Sequence, residues 1–315
     1  MTLPFESSNT SGYAKALQAA REAVGPQLHP PSTLYVVATP IGNLADITLR
    51  ALYVIEKVDT VACEDTRHTQ QLLRAYGLDR PSAQLLAVHQ HNEAQAAEQV
   101  IARLAQGQRV AYVSDAGTPC ISDPGARLAA AVAAAGFRVM PLPGASSVTA
   151  VLSAAGAQGD GEFVFAGFLP SKASERSAAV QALCDEPRSV VILEAPHRIE
   201  ALAQALTVLG ARRVTVGREL TKQFETLHTL EAQNFAHWLS GKPERVRGEF
   251  ALVLHALDKA SAQDASGVDA QSLRTLQLLL AELPLKSAVK LAAEISGTPR
   301  NKLYDAALLL KKGLD

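Results

Sequence analysis

From Thr33 onward, short runs of β-branched and aliphatic residues alternate with longer stretches whose apolar positions recur at helical spacing. The short runs predict strands at Leu34–Ala38, Thr60–Cys63, Gln84–Val88, Arg109–Ser114 and Arg138–Leu142. Helices fall between them. Asp46 is placed to cap a helix carrying Ile47, Ala51, Val54, Ile55 and Val58, Asn92 with Glu93 opens another reaching Gln106, and Pro124 suits the first turn of a third. Strand and helix alternating on this rhythm imply a mainly parallel sheet with helices on both faces.

The run Gly156-Ala157-Gln158-Gly159-Asp160-Gly161 has almost no side chain to bury and marks a domain boundary. Beyond it the same reading predicts strands at Phe163–Ala166, Ser189–Leu193, Arg213–Gly217, Glu225–Thr229 and Phe250–His255, with helices near Ser174–Leu183, Arg198–Leu209 and Glu231–Leu239. The fold class is thus α/β, two α/β domains with a small C-terminal helical segment. Residues 1–32 read as a polar extension, expected to be disordered. Residues 33–157 form the first domain, 158–258 the second with a mixed sheet, 259–271 a linker rich in Ala, Ser, Asp and Gly, and 272–315 a helix-turn-helix-like tail.

Composition narrows the class. The 315 residues hold 30 Lys and Arg against 31 Asp and Glu, 48% hydrophobic residues and 3 Cys. Disordered and collagen-like chains are excluded. No apolar run approaches the ~18 residues of a membrane span, and the N-terminus lacks the pattern of a targeting signal. The dispersed Cys63, Cys120 and Cys184 form no Cys-x-x-Cys pair and suit a reducing cytoplasm. Near-zero net charge, taken alone, argues against a polyanionic partner.

The candidate chemistry sits in loops after strands. Ala38 to Leu44 is a Gly- and Pro-bearing loop at the carboxyl end of the first strand, where open α/β sheets bind ligands. Ser114 to Gly125 packs two Gly, two Pro and two Asp into twelve residues, a long rigid loop rather than a minimal turn. Pro143-Gly144-Ala145-Ser146-Ser147 brings small hydroxyl residues to a helix start. His89 and His91 find no third ligand at metal spacing, so no metal is expected. Neither a dinucleotide fingerprint, a phosphate loop nor a nucleophile elbow occurs.

Taken together, Thr39-Pro40-Ile41-Gly42-Asn43-Leu44 with Asp46, Glu64-Asp65-Thr66-Arg67, Ser114 through Gly125, Pro143-Gly144-Ala145-Ser146, Glu194-Ala195-Pro196-His197-Arg198 and Gly217-Arg218-Glu219-Leu220-Thr221-Lys222 resemble, in order and spacing, the bacterial 16S rRNA (cytidine-2'-O)-methyltransferases of the tetrapyrrole-methylase superfamily. The resemblance covers about Leu34 to Ala256 and extends to the tail. It implies S-adenosylmethionine held in a cleft between two domains of the class III methyltransferase type, and a homodimer. The implied reaction is methylation of the ribose 2'-hydroxyl of cytidine 1402 in 16S rRNA of the 30S subunit. The superfamily's cofactor contacts carry over to Pro40, Gly42, Asp115, Ile121, Ser146, Ser147, Glu194 and Ala251, where Glu194 departs from the usual apolar residue.

A ribose hydroxyl needs help in losing its proton, and Glu64, Asp65, Glu219 and Lys222, all near strand ends, are the candidates. Lys222 acts as a base only if neutral and otherwise clamps phosphate. Arg67, Arg198 and Arg218 are assigned to phosphate or ribose. Between Lys286 and Lys312 the tail carries Lys286, Lys290, Arg300, Lys302, Lys311 and Lys312 against Glu294 and Asp305, so Lys286, Lys290, Arg300 and Lys302 are expected on an RNA backbone. A precorrin-type tetrapyrrole methyltransferase shares cofactor and fold, and a non-catalytic rRNA-binding assembly factor would share the tail.

Overall fold

The computed structural model describes residues 10–89, 92–157, 161–257, 268 and 270–312. The linker reading lies almost wholly outside the described residues, as does His91 of the histidine pair. The first part of the chain runs α1 (Thr10–Val24), β1 (Thr33–Val37), α2 (Leu49–Lys57), β2 (Thr60–Cys63), α3 (Thr66–Ala75), β3 (Leu85–Ala87) and α4 (Glu93–Ala105). It continues through β4 (Val110–Val113), α5 (Ala126–Ala134), β5 (Arg138–Leu142) and α6 (Ser147–Ala154). Then come β6 (Phe163–Phe168), α7 (Ala173–Leu183), β7 (Ser189–Glu194), α8 (Ile199–Leu206), β8 (Arg213–Arg218), β9 (Thr226–Glu231), α9 (Phe235–Ser240) and β10 (Phe250–Leu254). The tail comprises α10 (Ala270–Glu282), α11 (Leu285–Ser296) and α12 (Arg300–Lys312).

The first sheet has the order β3-β2-β4-β1-β5, and its pairs are parallel, with Tyr35 opposite Ala111 and Met140. Alternation along the strands divides its side chains between two cores. Tyr35, Val37, Val61, Cys63, Ala111 and Val113 meet α2 and α3 on one face. Leu34, Ala62, Val110 and Tyr112 meet α4 and α5 on the other.

The expectation of a disordered extension is corrected for residues 10–24. Leu17, Ala20 and Val24 recur at helical spacing, are buried, and pack α1 onto the first core. Tyr13 meets Tyr76 edge to face at 5.3 Å, and Arg21 pairs with Glu56. Two helix starts also differ from expectation. Thr48, not Asp46, caps α2, its hydroxyl accepting from Ala51 N at 3.0 Å, while Asn43 starts a separate 3-10 turn ending at Asp46. Gly125, at φ 113°, caps α5 one residue after Pro124.

The second sheet has the order β6-β7-β10-β8-β9. Its central strand β10 is buried throughout and antiparallel to β7 and β8, and β9 pairs antiparallel with β8. Helices α7, α8 and α9 cover one face, and α6 lies on the other through Val148 and Val151. Both sheets belong to one compact unit; α10–α12 belong to another with Asp185–Ser189. Within the tail, Leu276, Val289, Ala292, Leu303, Ala306 and Ala307 form a core of their own, and Gly297 ends α11 at φ 70°. Among the described residues no helix is long and apolar enough to cross a membrane.

Candidate functional site

Parallel strands deliver their loops to one edge, and there the loop after β1 and the loop after β4 are stitched together. Thr39 and Gly117 exchange backbone hydrogen bonds of 2.9 and 3.1 Å, and the Thr39 hydroxyl donates to Ser114 O at 3.2 Å. Gly117 is left-handed at φ 83°, where a β-carbon would also crowd Ile41 Cγ2. Cys120 and Ser122 hold φ values of 68° and 67° without being glycine. Such backbone persists only when surrounding structure over-determines it. Thr118 Oγ1 donates to Ala145 O, Tyr112 Oη donates to Pro124 O, and the buried Glu93 Oε1 accepts from the N–H groups of Gly125, Arg127 and Leu128. The rigid-loop reading of Ser114–Gly125 thus has a physical basis.

A cavity of about 360 Å³ opens at this edge, lined by Ile41 and Ser147 from the first half and by Phe168, Leu193, Glu194, Ala195, Pro196, Leu220, Glu249, Phe250 and Ala251 from the second. Its walls are mainly apolar with a few polar groups, the usual make-up of a small-molecule site. Of the residues expected to hold cofactor, Ser147, Glu194 and Ala251 line it. Ser146 caps α6 beside it, buried Pro40 and half-buried Gly42 flank Ile41, and Asp115 and exposed Ile121 lie outside the lining. Asp115 instead accepts from Asp65 N at 3.3 Å and receives His68 Nε2 on its carbonyl at 3.2 Å. Sequence reasoning missed Phe168, Glu249 and Phe250, although the strand register sets Phe250 opposite Glu194. A larger cavity of about 590 Å³ at the opposite sheet edge is charged, and its Arg80 is engaged by the carbonyls of Ile55 and Glu56.

Two groups of titratable side chains stand out, the first of them beside the cavity through Glu249. In the first, Lys222 Nζ lies 2.8 Å from Glu219 Oε1 and 3.2 Å from Glu249 Oε2. Burial would lower the Lys222 pKa, but hydrogen bonds and charge from Glu219 and Glu249 outweigh it and hold the ammonium above its ordinary value. Burial likewise works to raise Glu219, yet Lys222 and the N–H of Glu249 bring it below the ordinary value. Lys222 as a neutral base is therefore corrected: it is a paired cation.

In the second group, burial first and then the charges of Asp123 and Asp115 push Glu64 up to about 7. Its Oε1 is buried without a hydrogen-bond partner. Burial, with a smaller contribution from Asp115, pushes Asp123 up to about 6. Asp65 goes the other way, to about 2, because the guanidinium and N–H of Arg67 and the N–H of His68 all donate to it. Asp65 is thus a weak base whose carboxylate caps α3.

The expected RNA-binding arginines require a second correction. Arg218 is 8% exposed, and its guanidinium donates to Arg247 O, Phe224 O and Thr226 Oγ1. Arg198 lies with Nε 3.0 Å from the buried Glu194 Oε1 and donates to Leu169 O. Both hold loops and walls of the cavity in place. Arg67 is exposed but paired with Asp65. In the tail, Lys286, Lys290, Arg300 and Lys302 are exposed, with Lys290 4.0 Å from Glu294. No group of three or more His, Cys, Asp or Glu able to hold a metal occurs among the described residues.

Comparison with known proteins now decides the family. Residues 33–236 match the model for tetrapyrrole (corrin/porphyrin) methylases, and residues 266–311 match the RsmI C-terminal HTH domain. A ribosomal RNA small subunit methyltransferase I of Pseudomonas aeruginosa is 47% identical over 278 residues, 88% of this chain and 96% of that protein. Its counterpart in Escherichia coli O157:H7 is 48% identical over 277 residues, 87% of this chain and 94% of that protein. The chain belongs to the ribosomal RNA small subunit methyltransferase I family. A cobalt precorrin-4 methyltransferase structure matches with a TM-score of 0.52 at 16% identity, over 72% of this chain and 98% of that one, which shows the shared fold.

The cofactor is S-adenosylmethionine. The cavity's size and make-up suit it: apolar walls accommodate a flat heterocycle, and the buried Glu194 Oε2, which has no partner, is available as an acceptor. Gly217 lets the wall behind Ala251 pack closely, since a β-carbon there would press on Ala251 O at 2.9 Å and Val151 Cγ2 at 3.0 Å.

Proposed function

We propose that the chain methylates the 2'-hydroxyl of a cytidine, the position numbered 1402, in 16S rRNA of the 30S subunit, working as a homodimer in the cytoplasm. The observation carrying this reading is the 47% and 48% identity to relatives that the chain spans almost end to end. The tail match adds to it.

Bound in the cavity, S-adenosylmethionine supplies an electrophilic methyl group on a sulfonium. The chain's part is to align the hydroxyl with that group, exclude water, and accept a proton. Ile41, Phe168, Leu220 and Phe250 provide the dry wall. Glu64, which follows β2 at the same sheet edge as the loops after β1 and β4, is assigned here as the proton acceptor. A base poised near neutrality best combines an available carboxylate with useful basicity, and Glu64 at about 7 fits where Asp65 at about 2 does not. Glu219 and Lys222 hold each other and the start of β10. In this reading the exposed cations of the tail contact the RNA backbone.

Incubation of 30S subunits lacking the modification, and separately of a precorrin, with methyl-labelled S-adenosylmethionine tests the proposal. Label entering 16S rRNA alone supports it. Label entering the precorrin, or no transfer despite cofactor binding, removes it in favour of a tetrapyrrole enzyme or a non-catalytic binder.

A further inference from the structure

The cations that sequence position assigned to RNA in the α/β unit are engaged elsewhere: Arg67 and Lys222 by carboxylates, Arg198 by Glu194, Arg218 by carbonyls. Two others are not. Lys242 and Arg247, at the ends of the 3-10 turn Pro243–Val246, are exposed, and no hydrogen bond or ion pair engages their side chains among the described residues. Glu244 is the one acid within this segment.

The segment is held from beneath. Arg245 Nη1 donates to Trp238 O at 2.7 Å, Arg218 Nη1 donates to Arg247 O at 3.2 Å, and Arg245 N and Arg247 N close the turn on Lys242 O and Glu244 O. Its backbone is therefore set before a ligand arrives, which lowers the entropic cost of binding. Beside it stands a stack of rings. His228 lies parallel to the chain's single Trp238, centroids 5.1 Å apart with an interplanar angle of 11°, and the Arg245 guanidinium carbon sits 4.4 Å from the centre of the Trp238 ring. Phe235 supports Trp238 from the core at 6.2 Å. His228, on edge strand β9, is exposed.

We infer that Lys242, Arg247 and the outer face of His228 form a binding surface for a single-stranded RNA segment, with the two cations on phosphates and the imidazole stacked on a base. Exposed cations beside a rigid ring match the alternation of charge and π-face along one strand, and need no closed pocket. The surface runs directly into the site: Gly248 follows Arg247, and Glu249, Phe250 and Ala251 line the cavity. A strand held at Arg247 thus brings a nearby nucleotide to the cavity mouth, where Phe168 is 51% exposed. The inference rests on the reading of the chain as an rRNA methyltransferase and names a surface that delivers the substrate.

The test uses the full chain saturated with S-adenosylmethionine, a short fluorescein-labelled single-stranded RNA and purified 30S subunits, with Kd measured across a salt series. Lys242→Ala/Arg247→Ala should weaken binding about tenfold and reduce the slope of log Kd against log salt by about 1.4, near 0.7 for each lost phosphate contact on a single strand. His228→Ala should weaken binding about fivefold to tenfold with the slope unchanged, and His228→Phe, which restores a flat ring, should recover it. Cofactor affinity and melting temperature should stay at wild-type values in the double variant. Variants that bind like the wild type, with the same slope, overturn the surface while methyl transfer to 30S subunits continues. A wild-type chain that transfers no methyl to 30S subunits overturns the function and the surface together.

Discussion

The stem of Lys222 rests on the backbone of Gly42: a β-carbon on that glycine would lie 3.0 Å from Lys222 Cε and closer still to its Cγ, with Thr221 Oγ1 at 3.1 Å. Gly42 belongs to the loop after β1 of the first sheet and Lys222 to the loop after β8 of the second, so loops of the two sheets meet here beside Ile41 and Leu220, which line the cavity. A lysine stem is ordinarily free to swing aside. This one is held, because Glu219 and Glu249 both engage its ammonium.

Gly42→Ala should therefore act as an overpacking substitution. We expect a stability loss of about 1–3 kcal/mol and cofactor binding weaker by about tenfold, measured by denaturant unfolding and calorimetry. Lys222→Ala removes the obstructing stem, so Gly42→Ala/Lys222→Ala should lose less than the sum of the single variants. Strictly additive losses would show that the two residues do not press on each other.

Glu64→Gln should lower the rate of methyl transfer by about 10²- to 10⁴-fold while cofactor affinity holds. In the wild type the rate should climb as pH rises through about 7, where Glu64 gives up its proton. Asp123 and Asp115 share its field, so the midpoint belongs to the group rather than to one carboxyl. Stability moves in the opposite direction. The folded-state pKa of Glu64 is raised above its unfolded value of about 4.3, so its contribution is full below that value and is lost as pH rises through about 7. Glu64→Gln cannot ionise and should flatten the decline in melting temperature over that window. A pH–rate profile unchanged by the substitution would remove Glu64 as the acceptor.

Arg218→Ala should destabilise the chain by about 1–3 kcal/mol, because it leaves Arg247 O and Phe224 O without their donor in a half-buried setting. It should weaken cofactor binding through the loops it fastens, and RNA binding only through the loosened turn at Arg247, so that any loss of RNA affinity comes with the loss of stability. A reduced salt slope with unchanged stability would return Arg218 to the phosphate role that its sequence position suggested.

What the sequence made legible, and what it did not, follows physical lines. Continuous burial wrote β1, β2 and β4 plainly, since each strand is packed on both faces and consists almost wholly of apolar residues. The α1 stripe was equally present in Tyr13, Leu17, Ala20 and Val24, but the polar composition around it masked the spacing. Cavity residues supplied by motif glycines and small hydroxyls could be anticipated, as at Ser147. The fate of the arginines could not. A strand-end position does not say which way a side chain points, and the carbonyl that captures Arg218 comes from Arg247, 29 residues away. Lys242 and Arg247 drew no notice because they stand in a surface turn outside every motif.

Removal of residues 1–26 should cost about 3 kcal/mol or more, since it uncovers the core beneath Leu17 and Val24. The rate per folded molecule should not change, as α1 contributes nothing to the cavity lining. Thermal unfolding alongside single-turnover methylation would separate the two, and a lost rate at full stability would contradict the assignment of α1 to the core alone.

The central claim is the identity of the methylated atom, and nucleoside mass spectrometry of 16S rRNA reads it directly. RNA from cells lacking this chain, compared before and after incubation of their 30S subunits with the purified protein and S-adenosylmethionine, should differ by one 2'-O-methylcytidine, at position 1402, absent before and restored after. An unchanged 16S rRNA, or a methyl group restored on a base or at another nucleotide, would contradict the account.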